Sequence, residues 1–395
     1  MAWAEQRGRA SWRVRYLKDD GSLGSLPGFP TLASAENYAS DLDSEQRQGT
    51  FIDPSHGRIT VDEWSTKWLE ALDVGARTEE QYRGLLRNHI LPRWGHISLC
   101  EISNIAVATW GKNKRADGYS PTTVTLMTKV LSMMLADAAD ERLIPANPIR
   151  PRRRGKRPHT KRPERLWATP EQVLRIADQA TALTGSWAGV LILTAAFTGA
   201  RWGELAGLQR HNTHLARARF TIDAEHGTLQ EINGHYSLGP PKTAESARTI
   251  RLPAFLTELL HIHLQRHTHP HVFVTAHGDL LRRSNFARRA MRPAADGTQH
   301  KPRSPRTLTP VATGLTFHGF RHSHKTWMIA DGIPDIAQSR RLGHILPDKI
   351  QEIYSHVADE VEQRLLDNLQ HRWEHALTTL QQPTTHTTTA ALPTL

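Results

Sequence analysis

The sequence predicts a mainly α-helical protein with small β-sheets, of the α+β class and divided into several domains. Three observations lead there. The 395 residues are too many for one ordinary core and call for two or three. Long stretches repeat apolar residues at helical spacing behind recognisable N-cap residues. Strict alternation, the mark of a half-buried strand, is confined to short segments.

The first such segment opens the chain. Trp12, Val14 and Tyr16 point one way and Arg13 and Arg15 the other, which predicts a strand. Asp20-Gly21 is a hairpin turn signal, and Phe29 falls in a following strand. From Thr31 the period becomes helical, with Ala35, Tyr38, Ala39 and Leu42 on one face and Gly49 as the stop. Residues 1–55 are therefore read as a small sheet plus one helix. Arginines on the open sheet face suit DNA binding or are simply solvated. Residues 58–148 read as an all-helical domain. Thr60 with Glu63 and Thr78 with Gln81 have capping-box spacing, Ser103 is a third cap, and Ser120-Pro121 opens a long fourth helix.

Residues 149–166 form a basic linker. Between 150 and 165 stand nine Lys or Arg, among them Arg152, Arg153, Arg154, Lys156 and Arg157, against the single acid Glu164. Such a run repels itself into an extended state, either solvated or strapped along a phosphate backbone. Residues 167–377 are the third domain, opened by the cap Thr169-Pro170. It starts with helices over 171–180 and 187–197, continues with strand-like pieces near 220–222 and 249–252, and returns to helices. Residues 282–306 form a second basic stretch. Beyond Asp359, Val361, Leu365, Leu366, Leu369 and Trp373 sit at helical spacing, on a helix that docks either on its own core or on a neighbouring protomer. Residues 378–395, rich in Thr, Gln and Pro, are expected to be a disordered tail.

A formal charge of +11 with pI near 10.0 points to a polyanionic partner. The one cysteine, Cys100, excludes intrachain disulfides and cysteine-based zinc sites and is read as a small core residue. The first residues lack the apolar core of a signal peptide, and the longest apolar run, 187–197, is too short to span a bilayer. A soluble, cytoplasmic protein with no membrane partner is expected.

Four segments of the third domain carry the chemistry: Thr198-Gly-Ala-Arg201-Trp-Gly-Glu204; Pro241-Lys242-Thr243 with Ser246-Ala-Arg-Thr-Ile250; His318-Gly-Phe-Arg321-His322; and Leu342-Gly-His344, with Tyr354 ten residues on. Arginines, histidines and a lysine are all donors, and the acids of a metal-dependent nuclease are not interleaved with them. Arginine's planar fork clamps phosphate oxygens. Thr198-Gly199 reads as a helix start whose free N–H groups favour an anion. Glu204, one turn past Arg201, is placed to orient that guanidinium or cap the backbone, a structural role. Donors gathered on a phosphate without a metal need a nucleophile from the protein, and a tyrosine is one of few candidates. Singly, each residue has an ordinary alternative as a hydrogen-bonded core or surface group, Tyr354 included. His318, His322 and His324 could suggest zinc, but no acid or cysteine completes a tetrahedral set. The conjunction of order, spacing and residue type carries the reading.

With these residues in view, the sequence resembles the tyrosine recombinase, or phage integrase, family. Arg201 stands in what looks like the family's first-arginine box and Lys242 in its hairpin lysine segment. His318-x-x-Arg321-His322 is similar to the His-x-x-Arg box, with Phe320 where leucine is commoner. His344 and Tyr354 stand where the family has its last histidine and its nucleophile. The resemblance implies an arm-type DNA-binding domain (1–55), a helical, SAM-like core-binding domain (58–148) and a mixed α/β catalytic domain. It implies Arg201, Lys242, His318, Arg321, His344 and Tyr354 as catalytic residues, with Glu204 and His322 in support. It further implies a 3′-phosphotyrosyl intermediate, needing neither ATP nor cofactor, and integration or excision of a mobile element. The implied partners are double-stranded attachment-site DNA, four protomers around a Holliday junction, and an accessory factor that sets direction. DNA contacts are expected from Arg13, Arg15 and the linker cations. Two alternatives stay open, a type IB topoisomerase-like strand cleaver and a non-catalytic DNA-binding regulator.

Overall fold

The structure is a computed structural model that describes residues 1–8, 11–18, 21–53, 55–150, 164–298, 307–344 and 357–382. Packing divides the chain into two units, Met1–His159 and Thr160–Leu395.

In the first unit, strands Ala2–Gly8, Ser11–Leu17 and Leu23–Phe29 form an antiparallel sheet with Val14 opposite Ala4 and Leu26. The two-residue period buries Val14 and Tyr16 against Ala35, Ala39 and Leu42 of the helix Leu32–Gln48. Thr31 caps that helix and Gly49 ends it in the left-handed region at φ 70°. On the other sheet face, Arg13 and Arg15 both reach Glu5, at 2.8 and 3.3 Å. The Tyr16 hydroxyl donates to buried Asp53 at 2.5 Å.

A separate core gathers Trp64, Trp68, Ile90, Trp94, Trp110, Leu131 and Leu135 from the helical residues that follow. The helices Val61–Ala71, Asn104–Ala116 and Pro121–Asp140 start behind Thr60, Ser103 and Ser120, whose side chains accept from backbone amides. The Thr78–Gln81 box does not form. That helix begins at Ala76 behind Gly75, so the Thr78 amide already donates to Gly75 O at 2.7 Å inside the first turn. Cys100 is exposed rather than in the core, because in the single turn Leu99–Glu101 it is Leu99 that takes the inward position.

The second unit is built on the helix Ser186–Thr198, buried along its whole length from Ala188 onward. An apolar surface on all sides forces such a helix to the middle of a core. The helix Pro170–Thr184 packs along it, and Phe317–Ala330 crosses it. A three-stranded sheet of Thr213–His214, Arg219–Ile222 and Arg248–Arg251 pairs Phe220 with Ile250. A hairpin the sequence reading lacked, Thr228–Ile232 with His235–Gly239, turns on Asn233-Gly234, both at positive φ. The C-terminal helix runs Asp359–Gln381, past the expected tail boundary at 378. Its apolar face packs on its own core: Trp373 stacks on Phe255 at 4.3 Å, and Leu365, Leu369 and Ala376 are buried. That seating packs the face on its own core, with Val361, Leu377 and Leu380 only partly buried. Among the described residues, no helix is long and apolar enough to cross a membrane.

Candidate active site

The site forms where the buried helix Ser186–Thr198 runs out. A helix end leaves carbonyls without partners, and its dipole favours cations there. Three side chains take up the oxygens. His324 Nδ1 donates to Ala196 O at 2.9 Å, Arg341 Nη2 to Phe197 O at 3.1 Å, and Arg321 Nη1 to Gly199 O at 2.7 Å. Gly199 closes the helix at φ 68°, and a Cβ there would meet Leu342 Cδ2 at 2.6 Å and His324 Cδ2 at 2.9 Å. The expected helix start at Thr198-Gly199 is thus a helix end. The next helix, Trp202–Ala206, begins after Arg201, whose amide is taken by Glu204 Oε2 at 2.9 Å.

Glu204 is 1 % exposed and holds two guanidiniums. Its Oε1 accepts from Arg201 Nη1 at 2.7 Å and its Oε2 from Arg248 Nη2 at 3.0 Å. Burial works to raise the pKa of this carboxyl, but Arg248 and then Arg201 outweigh it and bring it below the usual value. Arg201 Nη1 also donates to Ser246 Oγ at 2.9 Å, and Nη2 to Gly343 O at 3.1 Å. Gly343 sits at φ 63°, where a Cβ would lie 2.9 Å from Glu245 O.

Arg321 is 4 % exposed and donates from Nη2 to Leu342 O as well as from Nη1 to Gly199 O. Burial and then the neighbouring Arg201 weigh against its charge. A guanidinium keeps its proton under such pressure, so the unfavourable field persists until an anion relieves it. Arg201, Arg248, Arg321 and the Glu204 carboxylate, taken as four groups, carry two positive charges in excess. His318 and His344 lie in that field. Each is brought down to about 4, His318 by desolvation, His322 and Arg321, and His344 by desolvation, Arg321 and Arg201. Both rings are therefore neutral at pH 7, able to donate from one nitrogen and accept a proton at the other. His322 Nε2 lies 3.1 Å from Arg165 Nη1, and its ring meets that of His318 edge-on. His324 has both nitrogens engaged, Nδ1 by Ala196 O and Nε2 by Arg341 Nε at 2.9 Å, which leaves none for a metal. Among the described residues, no group of three or more His, Cys, Asp or Glu could hold one.

Arg201, Arg321, His318 and His344 thus share one electrostatic neighbourhood, with Glu204 behind Arg201. Lys242 is exposed and, among the described residues, has no hydrogen-bond or ion-pair partner. Its link to the cluster runs through Thr243 Oγ1, 3.1 Å from Ser246 Oγ. Tyr354, Arg152, Arg153, Arg154, Lys156 and Arg157 lie outside the described residues. Sequence reading gave no role to Ser246, Arg248, His324 or Arg341. A signal for Arg248 was available. It shares a strand face with Ile250, which is buried, and an arginine pointing inward requires an acid.

This is a cationic centre assembled from four sequence segments around one helix end. Residues 167–361 match the phage integrase family, and this part of the chain belongs to it as a tyrosine recombinase. It is 27% identical over 279 residues to a putative prophage phiRv2 integrase of Mycobacterium tuberculosis, covering 66% of this chain and 68% of that one. With the integrase of Mycobacterium phage L5 it shares 25% over 297 residues, 73% of each. Among solved structures, the Tn1549 transposon integrase in complex with a circular intermediate DNA superposes with TM-score 0.60 at 17% identity, over 79% of this chain and 99% of that one. A lambda integrase tetramer bound to a Holliday junction gives 0.52 at 16%, over 90% and 98%. These two likenesses establish the fold.

Proposed function

We propose that this chain integrates or excises a mobile element by cutting and rejoining DNA through a covalent link to Tyr354. The observation that carries the reading is the surplus of fixed positive charge at the end of the buried helix, where Arg201 stays 29 % exposed with its orientation set by Glu204, Ser246 and Gly343. A free tyrosine has a pKa of about 10, so about one in a thousand is phenolate at pH 7. Help must therefore come as charge develops in the transition state. The phenol oxygen of Tyr354 forms a bond to the scissile phosphorus, its proton passing to neutral His318. Arg201, Arg321 and His344 bind the non-bridging oxygens, each such donor being worth about 3 kcal/mol. The bond from phosphorus to the 5′-oxygen breaks, and Lys242 supplies the proton that makes that oxygen a tolerable leaving group. A 5′-hydroxyl of the partner strand reverses the sequence and frees the tyrosine. Glu204 and His322 support the site without touching the phosphate.

Residues 1–55 act as the arm-type DNA-binding domain, 58–148 as the core-binding domain and 167–377 as the catalytic domain. The linker cations of 149–166 follow the phosphate backbone. Arg13 and Arg15 would contact DNA only by sharing or leaving Glu5. Four protomers assemble on two duplexes, as in the lambda integrase tetramer bound to a Holliday junction, and an accessory factor sets direction. The test is Tyr354→Phe on a nicked suicide duplex carrying the attachment site. It should bind as the unaltered chain does and form no covalent adduct. An adduct formed by that variant would overturn the assignment.

A further inference from the structure

We infer that Arg248 is a positioning residue that locks Arg201, the Lys242 loop and the His344 turn into one register. The inference rests on the reading of Arg201 as a phosphate clamp and adds a residue that reading does not contain. Arg248 opens the strand Arg248–Arg251, and its side chain is 7 % exposed, so no phosphate reaches it. Four of its five N–H groups are spent inside the protein, on three segments far apart in sequence. Nη2 and Nη1 donate to the two oxygens of Glu204, at 3.0 and 3.3 Å, and Glu204 in turn aims Arg201. Nη1 donates to Ser246 O at 2.7 Å, within the turn that Ser246 Oγ ties to Thr243, next to Lys242. Nε donates to Arg341 O at 2.7 Å, three residues before His344 on the stretch whose Leu342 and Gly343 carbonyls hold Arg321 and Arg201.

Only a rigid planar fork satisfies these acceptors together. A lysine carries its charge at one point, so it neutralises Glu204 but leaves Ser246 O or Arg341 O without its donor. The three segments then keep their fold and lose their mutual setting. A displacement of about 1 Å in such a centre costs about a hundredfold in rate.

The experiment uses the full chain and a nicked duplex carrying the site sequenced from the junctions of its own mobile element. Arg248→Lys should melt close to the unaltered protein and bind the duplex within about twofold. Its adduct-forming rate constant at saturating protein should fall about 10- to 100-fold. In an Arg201→Lys background, adding Arg248→Lys should lower the rate by no more than about twofold further, because both act through one guanidinium. Full-rate cleavage by Arg248→Lys overturns the inference, and so does a loss that repeats undiminished beside Arg201→Lys. A lower melting point with an unchanged rate per active site also overturns it, since that is a purely structural role. Arg201→Lys cleaving at full rate fails differently, by removing the phosphate clamp itself. Where Arg248→Lys is too unstable to purify, Arg248→Gln with Glu204→Gln removes both buried charges together, and the same rate loss is required of it.

Discussion

Replacing Glu204 by glutamine changes almost no volume and removes one buried negative charge. The carboxylate accepts from Arg201 Nη1, Arg248 Nη2 and the Arg201 amide, and it offsets the charge felt by Arg321. Breaking a buried pair by deleting one partner costs about 3–5 kcal/mol, since the remaining charge is left uncompensated. The lower end applies here. Arg201 is 29 % exposed and regains water, and Arg248 keeps Ser246 O and Arg341 O. A loss of about 3 kcal/mol lowers the melting temperature of a unit this size by about 6–12 °C. Thermal unfolding followed by circular dichroism at pH 7 measures it. The sign with pH is also fixed. Glu204 titrates below its usual 4.5, so its contribution is complete above 4.5 and disappears as pH falls through the folded value. The glutamine variant should lack that acid-dependent step. A melting point within about 2 °C of the unaltered chain would refute the reasoning, because it would mean the carboxylate is not what balances the cluster.

Trp373→Ala should destabilise the second unit by about 3–5 kcal/mol, since the indole stacks on Phe255 and meets Phe197 edge-on. Chemical denaturation of the monomer at low concentration checks it, and a loss under about 1 kcal/mol would mean the C-terminal helix is not seated in cis. His318 and His344 give a second pH dependence. Their folded values of about 4 lie below the ordinary 6.5, so the unfolded chain takes up protons first as pH falls. The stability tied to their neutral forms should therefore be lost between about pH 6.5 and 4, and regained above. Melting scans across that window should flatten in a His318→Gln, His344→Gln double variant. Bound duplex should make the slope shallower as well, because a phosphate offsets the cationic field. An unchanged slope in the double variant would contradict the assignment of the shifts to these two rings.

Much of the local architecture was legible before any coordinates. Thr60, Ser103, Ser120 and Thr169 each cap the helix their residue type and spacing announced, because a cap is a contract between residues two or three apart. The alternation of Trp12, Val14 and Tyr16 gave the strand for the same reason. Thr78 misled because capping-box spacing recurs by chance and Gly75 offered an earlier start. The Asn233-Gly234 hairpin was missed although its turn chemistry is explicit, since the flanking residues alternate only weakly.

The sequence by itself determined the helix starts behind Thr60, Ser103, Ser120 and Thr169, the apolar helix that must be buried, and the inventory of donors in four ordered motifs. Each of these follows from neighbours along the chain. Only the tertiary structure decided which donors face outward and which serve the protein. Arg201 and Arg248 look alike in sequence, yet one is partly exposed and the other is sealed against Glu204 and Arg341 O, 44 and 93 residues away. The seating of the C-terminal helix was settled in the same way, by Phe255 and Phe197 waiting for Trp373. A charge or an apolar face specifies that it needs a partner; which partner it finds depends on chain segments that meet only after folding.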